Sequence, residues 1–274
     1  MSDQRIFITG GASGLGQAIA LRYARAGWRV CIADVNDTRG AETLKTLTSL
    51  TQHAHSLRCD VTREEDLRAA AEWLFSNWGG VDVVVNNAGV AQAGAIEDVS
   101  LDDWQWIIDI NLLGVVRGCK VFTPLFKRQG HGYFVNVASM AGLLDVPMMS
   151  SYNATKAAVV SLSETLHNEL ADNRIGVSVV CPSFFKTNLT ESLRTANPGL
   201  RTLMGKLLER SPITADDIAD QIFRAVEQRD FYILPHAEGR QAWLMKRLLP
   251  RGVYASMIRK RTRKMRGDGG AQPA

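Results

Sequence analysis

The 274-residue sequence is poor in the features that would assign it to a specialised class. Its four cysteines, Cys31, Cys59, Cys119 and Cys181, include no pair at C-x-x-C spacing and no flanking histidine cluster, so no metal site is expected. A chain of this length buries enough surface to dispense with disulfides. Cys31, Cys59 and Cys181 lie in or at the end of apolar runs, where a free thiol packs as a small hydrophobe. No apolar run approaches the roughly 18 residues that span a bilayer. The amino terminus passes from Met1-Ser2-Asp3-Gln4-Arg5 straight into Ile6-Phe7-Ile8, so neither a signal peptide nor a transmembrane helix is expected, and the expected address is the cytoplasm. Fixed-period repeats are absent, and no linker interrupts the chain before Gly267–Ala274, a polar tail expected to be disordered.

Short, nearly continuous apolar runs rich in Val and Ile occur at Arg5 to Thr9, Arg29 to Asp34, His55 to Cys59, Val81 to Asn86, Tyr133 to Ala138, Val177 to Cys181 and Phe231 to Leu234. Parallel strands buried on both faces read this way. Helical stretches separate them: Gly16 to Ala26, Thr38 to Gln52, Thr62 to Asn77, Asp102 to Arg128, Tyr152 to Asp172 and Thr214 to Gln228, with Asp37-Thr38, Asp60-Val61-Thr62 and Ser211-Pro212 as helix starts. Alternating strands and helices with right-handed crossovers predict an α/β doubly wound parallel sheet in one domain, residues 1–238. Ligands of such sheets sit at the carboxyl ends of the strands.

After the first strand comes Thr9-Gly10-Gly11-Ala12-Ser13-Gly14-Leu15-Gly16, followed by the helical Gln17-Ala18-Ile19-Ala20. Glycines here permit a tight turn and close approach of backbone N–H groups to a pyrophosphate, favoured by the positive end of the helix dipole. Asp34, 18 residues beyond Gly16, can accept both hydroxyls of an adenosine ribose and would repel a 2′-phosphate, which favours NAD over NADP. Ser13 supplies no compensating cation. Asp60 and Val61 would bracket the adenine, with Asp60 as an alternative cap for the next helix.

The fourth run leads into Asn86-Asn87-Ala88-Gly89, the fifth into Ser139, and a helix then presents Tyr152 and Lys156 four residues apart on one face. A lysine ammonium near the phenol would lower its pKa and make it a usable general base, while Ser139 donates to the same substrate oxygen. The glycine turn, the Asn-Asn-Ala-Gly segment and the serine with Tyr-x-x-x-Lys together resemble the short-chain dehydrogenase/reductase family, over Arg5 to about Leu234. That resemblance implies Tyr152 as acid/base, Ser139 as the polarising hydroxyl, and Lys156 on the nicotinamide ribose. It also implies Asn111 as the helix asparagine that holds a relay water, and Thr187 near the cofactor carboxamide. Where the family has Pro-Gly, this chain has Pro182-Ser183. The implied reaction is hydride transfer between a carbinol carbon and nicotinamide C4.

Apolar residues flank these positions, among them Met140, Leu144 and Met149, and Phe184 and Phe185 in a lid spanning about 184–212. They suit a hydrophobic secondary alcohol or ketone of steroid, alicyclic or fatty-chain type. Alternatives are a fatty-acyl carbonyl reductase, which Asp34 disfavours, and a non-catalytic dinucleotide-sensing regulator, which Ser139, Tyr152 and Lys156 disfavour. The family resemblance implies a homodimer or homotetramer. Residues 239–266 form a basic amphipathic extension: residues 239–274 hold ten Lys or Arg against Asp268 alone, whereas residues 1–238 carry net charge −5. The acidic body argues against nucleic acid as a partner. For the extension, a peripheral contact with an anionic membrane competes with packing over the lid or a neighbouring subunit.

Overall fold

The structure, a computed structural model, describes residues 4–263. Seven strands, β1 (Arg5–Thr9), β2 (Arg29–Asp34), β3 (Ala54–Arg58), β4 (Val83–Asn86), β5 (Gly132–Val137), β6 (Ile175–Val180) and β7 (Tyr232–Ile233), form one sheet in the order β3-β2-β1-β4-β5-β6-β7. Every pairing is parallel. Helices α1 (Gly14–Arg25), α2 (Asp37–Thr48), α3 (Glu64–Trp78), α4 (Leu101–Ile108), α5 (Gly114–Gln129), α6 (Ala141–Leu144) and α7 (Ser150–Glu169) follow in chain order, and then α8 (Pro198–Glu209), α9 (Ala215–Gln228), α10 (Ala237–Leu248) and α11 (Arg251–Arg261). No helix among the described residues is long and apolar enough to cross a membrane.

The two-residue period of a strand sorts the core into two layers. Phe7, Cys31, Val84 and Phe134 face one side of the sheet, against Leu67 and Leu74 of α3, Phe122 and Phe126 of α5 and Val159 of α7. Ile6, Ile8, Val30, Ile32 and Val85 face the other, against Ile19 and Tyr23 of α1 and Ile218 and Ile222 of α9. Both faces are covered, so alternation is invisible in the hydropathy of the strands. The strand order reverses between β1 and β4, and the crevice at their carboxyl ends is where such a sheet binds ligands.

Several local expectations change. The fourth helical stretch, expected as a single helix from Asp102 to Arg128, is split by a π turn at Asp109–Leu113. Helix α3 begins later than expected: Asp60 accepts the Thr62 N–H (2.9 Å) and hydroxyl (2.7 Å) in a local turn, and Arg63 occupies the cap position. Helix α9 is capped by Thr214 rather than started at Ser211-Pro212, with Asp217 returning the bond to the Thr214 N–H. The extension is two helices broken at Pro250, and it packs on the body. The expected disorder of residues 267–274 lies outside the described residues.

Candidate active site

A cleft of about 320 Å³ opens at the β1/β4 reversal. Its floor is the turn between β1 and α1. Gly10 has φ +62°, and a Cβ there would stand 2.9 Å from the Ala88 Cα, so only glycine lets the two loops meet. Ser13 precedes α1 with extended backbone and no side-chain capping bond, and the first turn of α1 carries no acid. Ser13, Gly14 and Leu15 at the positive end of α1 line the cleft wall, and no acid of the helix's own first turn neutralises that end. Gly16 is not on that wall; a Cβ on it would meet the Gly10 carbonyl at 2.1 Å, so its part is close packing of α1 on the strand.

At one end of the cleft stands Asp34, its two carboxylate oxygens accepting the N–H groups of Ala12 (3.1 Å) and Asn36 (3.0 Å). The carboxylate is thus fixed while lone pairs remain for a diol. Asp60 and Val61 line the same end. So does Arg39, which the sequence reading missed, paired with Glu191 of the lid at 2.7 Å. A cation does therefore lie near Asp34, already committed to an acid.

Asn87, Ala88 and Gly89 form the opposite wall. Asn87 donates through Nδ2 to the carbonyls of Thr9 (2.9 Å) and Gly10 (3.1 Å), and the N–H groups of Asn87 and Ala88 converge on the Thr9 hydroxyl. The loop after β4 is thereby stitched to the glycine turn. Asn111 lies in the π turn, fully buried, and pairs reciprocally with the Val90 backbone at 2.8 and 2.9 Å. Its side chain fixes the course of that loop.

Tyr152 and Lys156, on the buried face of α7, form the far end of the cleft. Ser139 follows β5; its hydroxyl bonds Tyr152 and the Pro182 carbonyl and accepts the Ala141 N–H at 3.1 Å. Burial raises the Tyr152 phenol above its ordinary range, and the Ser139 hydrogen bond works against that rise. Burial pulls Lys156 down to about 8. Its ammonium donates to the Val137 carbonyl at 2.9 Å and stands 5.8 Å from the Tyr152 ring centroid. The expected dominance of lysine over the phenol is thus replaced by burial as the largest influence.

Pro182, Thr187 and Phe185 also line the cleft. The Pro182-Ser183 turn is completed by His236, which follows β7: the Ser183 N–H donates to His236 Nδ1 at 3.1 Å, and His236 Nε2 lies 3.2 Å from the Phe184 carbonyl. Met149 packs with Tyr152, Ala91, Ala93, Leu193, Leu200 and Met204 in a separate apolar cluster, with Phe184 at its edge. Met140 and Leu144 pack in the main core beneath α10 instead, where Gly239 lies against Met140. The lid is pinned over this cluster by bonds between the Arg194 backbone and Ala91 and Ala93 at 3.0 to 3.1 Å.

The family model described as short chain dehydrogenase matches residues 4–198. The chain belongs to the short-chain dehydrogenase family. It is 36% identical over 254 residues to the CLA biosynthesis dehydrogenase/reductase of Lactiplantibacillus plantarum, covering 86% of this chain and 89% of that one. It is 30% identical over 263 residues to the probable oxidoreductase EphD of Mycobacterium tuberculosis, covering 93% of this chain but only 44% of EphD. A short-chain dehydrogenase from Burkholderia phymatum, crystallised in complex with NAD, superposes with a TM-score of 0.82 at 30% identity, covering 100% of this chain and 99% of that one. This short-chain dehydrogenase is accordingly an oxidoreductase acting at alcohol and carbonyl groups, with a cleft that fits a nicotinamide dinucleotide: a glycine cradle that a Cβ would fill, a helix end free of acids and a fixed carboxylate 22 positions from the turn amide it accepts.

Proposed function

We propose that this short-chain dehydrogenase interconverts a hydrophobic secondary alcohol and its ketone with NAD as cofactor. The observation that carries the reading is one cleft with Asp34 at one end and Tyr152, Lys156 and the adjacent Ser139 at the other. Gly10, Ser13, Gly14 and Leu15 would hold the pyrophosphate, Asp34 the adenosine ribose, and Lys156 the nicotinamide ribose. The bound nicotinamide supplies hydride acceptance and return at C4.

Ser139 orients the substrate oxygen and Tyr152 moves its proton. In alcohol oxidation the Tyr152 oxygen takes the hydroxyl proton; in reduction it gives one back. Because burial raises the phenol, it is well supplied with protons near neutrality, and oxidation gains from rising pH. Lys156, at about 8, still holds much of its charge near neutrality, which suits it to hydroxyl oxygens of the nicotinamide ribose. The cluster of Met149, Leu193, Leu200 and Met204 around Tyr152 supports an apolar substrate, since a polar one would leave its own groups unpaired there.

The test is a screen of secondary alcohols and ketones of graded chain length, followed at the NADH absorbance, with Tyr152→Phe alongside. Turnover should rise with apolar surface. The tyrosine variant should lose about 10²-fold or more in kcat and keep NADH affinity. A variant that retains more than a few per cent of the wild-type rate removes Tyr152 from proton transfer.

A further inference from the structure

We infer that the outer face of α10 and α11 is a docking surface for an anionic lipid bilayer. The two helices are fixed on their inner side. Gly239 lies against Met140, the Trp243 ring packs 5.0 Å from that of Tyr232, Lys246 bonds the Leu143 carbonyl at 2.8 Å and pairs with Asp145, and Tyr254 reaches the Leu144 carbonyl. These contacts use up the aromatic residues and one lysine of the extension.

What remains on the outer side is apolar and unburied. Leu244 is 54% exposed, Leu248 76% and Val253 51%. Leu244 and Leu248 are one helical turn apart and so share a face. Arg240 and Arg247 sit four before and three after Leu244, which places both guanidinium groups on one flank of that stripe, with Arg247 stacked 4.9 Å over the Trp243 ring. Arg251 opens α11, and Arg259, Lys260 and Arg261 end it, all exposed. From Gly239 to Arg263 the sequence contains no Asp or Glu, and the remaining chain adds Lys264 and Arg266 against Asp268.

Apolar side chains among cations, with no acid between them, select the occupant. A bilayer with anionic headgroups takes both components: leucine and valine enter the acyl boundary while arginine and lysine reach lipid phosphates. A polyanion such as RNA would use the cations and leave three apolar side chains in water. A second copy of this chain would cover the leucines only by bringing like charges together across a two-fold axis. The acidic remainder of the chain, net −5 over residues 1–238, would orient the molecule with this end toward the lipid. Because α10 rests on α6, immediately after Ser139, the bound surface would stand behind the substrate side of the cleft.

The test uses the full chain in flotation with phosphatidylcholine vesicles, with and without phosphatidylserine, at low and high salt. Binding should require phosphatidylserine and fall with salt. The variant Leu244→Asp/Leu248→Asp/Val253→Asp should bind about tenfold or more weakly, and Arg259→Gln/Lys260→Gln/Arg261→Gln should weaken binding to phosphatidylserine vesicles, each with unchanged NADH affinity and thermal midpoint. Absence of flotation, undiminished binding of the aspartate variant, or dissociation of a wild-type oligomer by those aspartates in light scattering would overturn the proposal. None of these results depends on the assignment of Tyr152 or Asp34.

Discussion

Replacing Asp34 by Asn separates the charge of that side chain from its shape. In the folded protein the carboxylate accepts the Ala12 and Asn36 N–H groups at 3.1 and 3.0 Å, and its remaining lone pairs face the cleft. A 2′-phosphate at the same ribose would stand about 4 Å from it, worth about 4 kcal/mol of repulsion per unit charge at an effective dielectric near 20. Loss of a charge-assisted ribose bond adds about 1.5 to 3 kcal/mol. Arg39 in the same cleft offsets part of this, but it is held by Glu191 at 2.7 Å. The net preference for NADH over NADPH should therefore be about 2 to 4 kcal/mol, roughly thirty- to several-hundredfold in Kd. In Asp34→Asn one oxygen still accepts an N–H, but the amide nitrogen faces the other donor, so stability should fall by about 1 to 2 kcal/mol. The cofactor ratio should shrink to about tenfold or less, because the repulsion is gone and Arg39 remains. Adding Glu191→Ala should tighten NADPH further, since Arg39 is then released. Fluorescence titration with both cofactors reads each step. Equal wild-type affinities, or an Asn variant with an unchanged ratio, would refute the reasoning.

Two further expectations concern groups outside the cleft. Lys246→Ala removes the cap on the Leu143 carbonyl and the partner of Asp145, whose φ is +56°; KM should rise severalfold with NADH affinity unchanged, and the thermal midpoint should fall by about 2 °C for a loss near 1 kcal/mol in a chain of this size. His236 must be neutral to accept from Ser183 at Nδ1, and burial holds its pKa below the usual histidine value. Because the folded value lies below the unfolded one, its contribution is complete above about pH 6.5 and is lost as pH falls through the folded pKa. Thermal unfolding followed from about pH 7.5 to about pH 5 should show this slope in the wild type and a shallower one in His236→Gln.

The central strands were legible because burial on both faces leaves continuous apolar runs, and β1 and β2 match the sequence reading residue for residue. Asp34 was legible for a related reason: a lone acid ending an apolar run has few roles but capping and ligand contact, and here its oxygens already serve the first. The lid was read without its helix, although Asn197 before Pro198 is a strong start signal and Leu200, Met204 and Leu208 recur at helical spacing. Arg39 could not be found by local pattern, because its position in the cleft follows from an ion pair with a residue 152 positions away. The same holds for His236, whose partners lie 52 and 53 positions earlier. The π turn has no composition signature at all; it is revealed by Asn111 reaching the Val90 backbone.

These non-local ties share one object, the segment from Ser183 to Arg210. His236 holds its first residues to the end of β7, Glu191 ties its middle to Arg39 at the Asp34 end of the cleft, and the Arg194 backbone bridges to Ala91 and Ala93 beside Tyr152. Each anchor is small: the exposed Arg39–Glu191 pair is largely screened by solvent, and a neutral hydrogen bond contributes about 1 kcal/mol. The apolar contacts of Leu193, Leu200 and Met204 are larger, and they lie over the space that an apolar substrate would have to enter. Opening the lid for substrate therefore exposes the very side chains that a hydrophobic ligand would cover again. A ligand without apolar surface would leave that cost unrecovered, so under the proposed function the lid would favour hydrophobic substrates before any contact with Ser139 or Tyr152 is made.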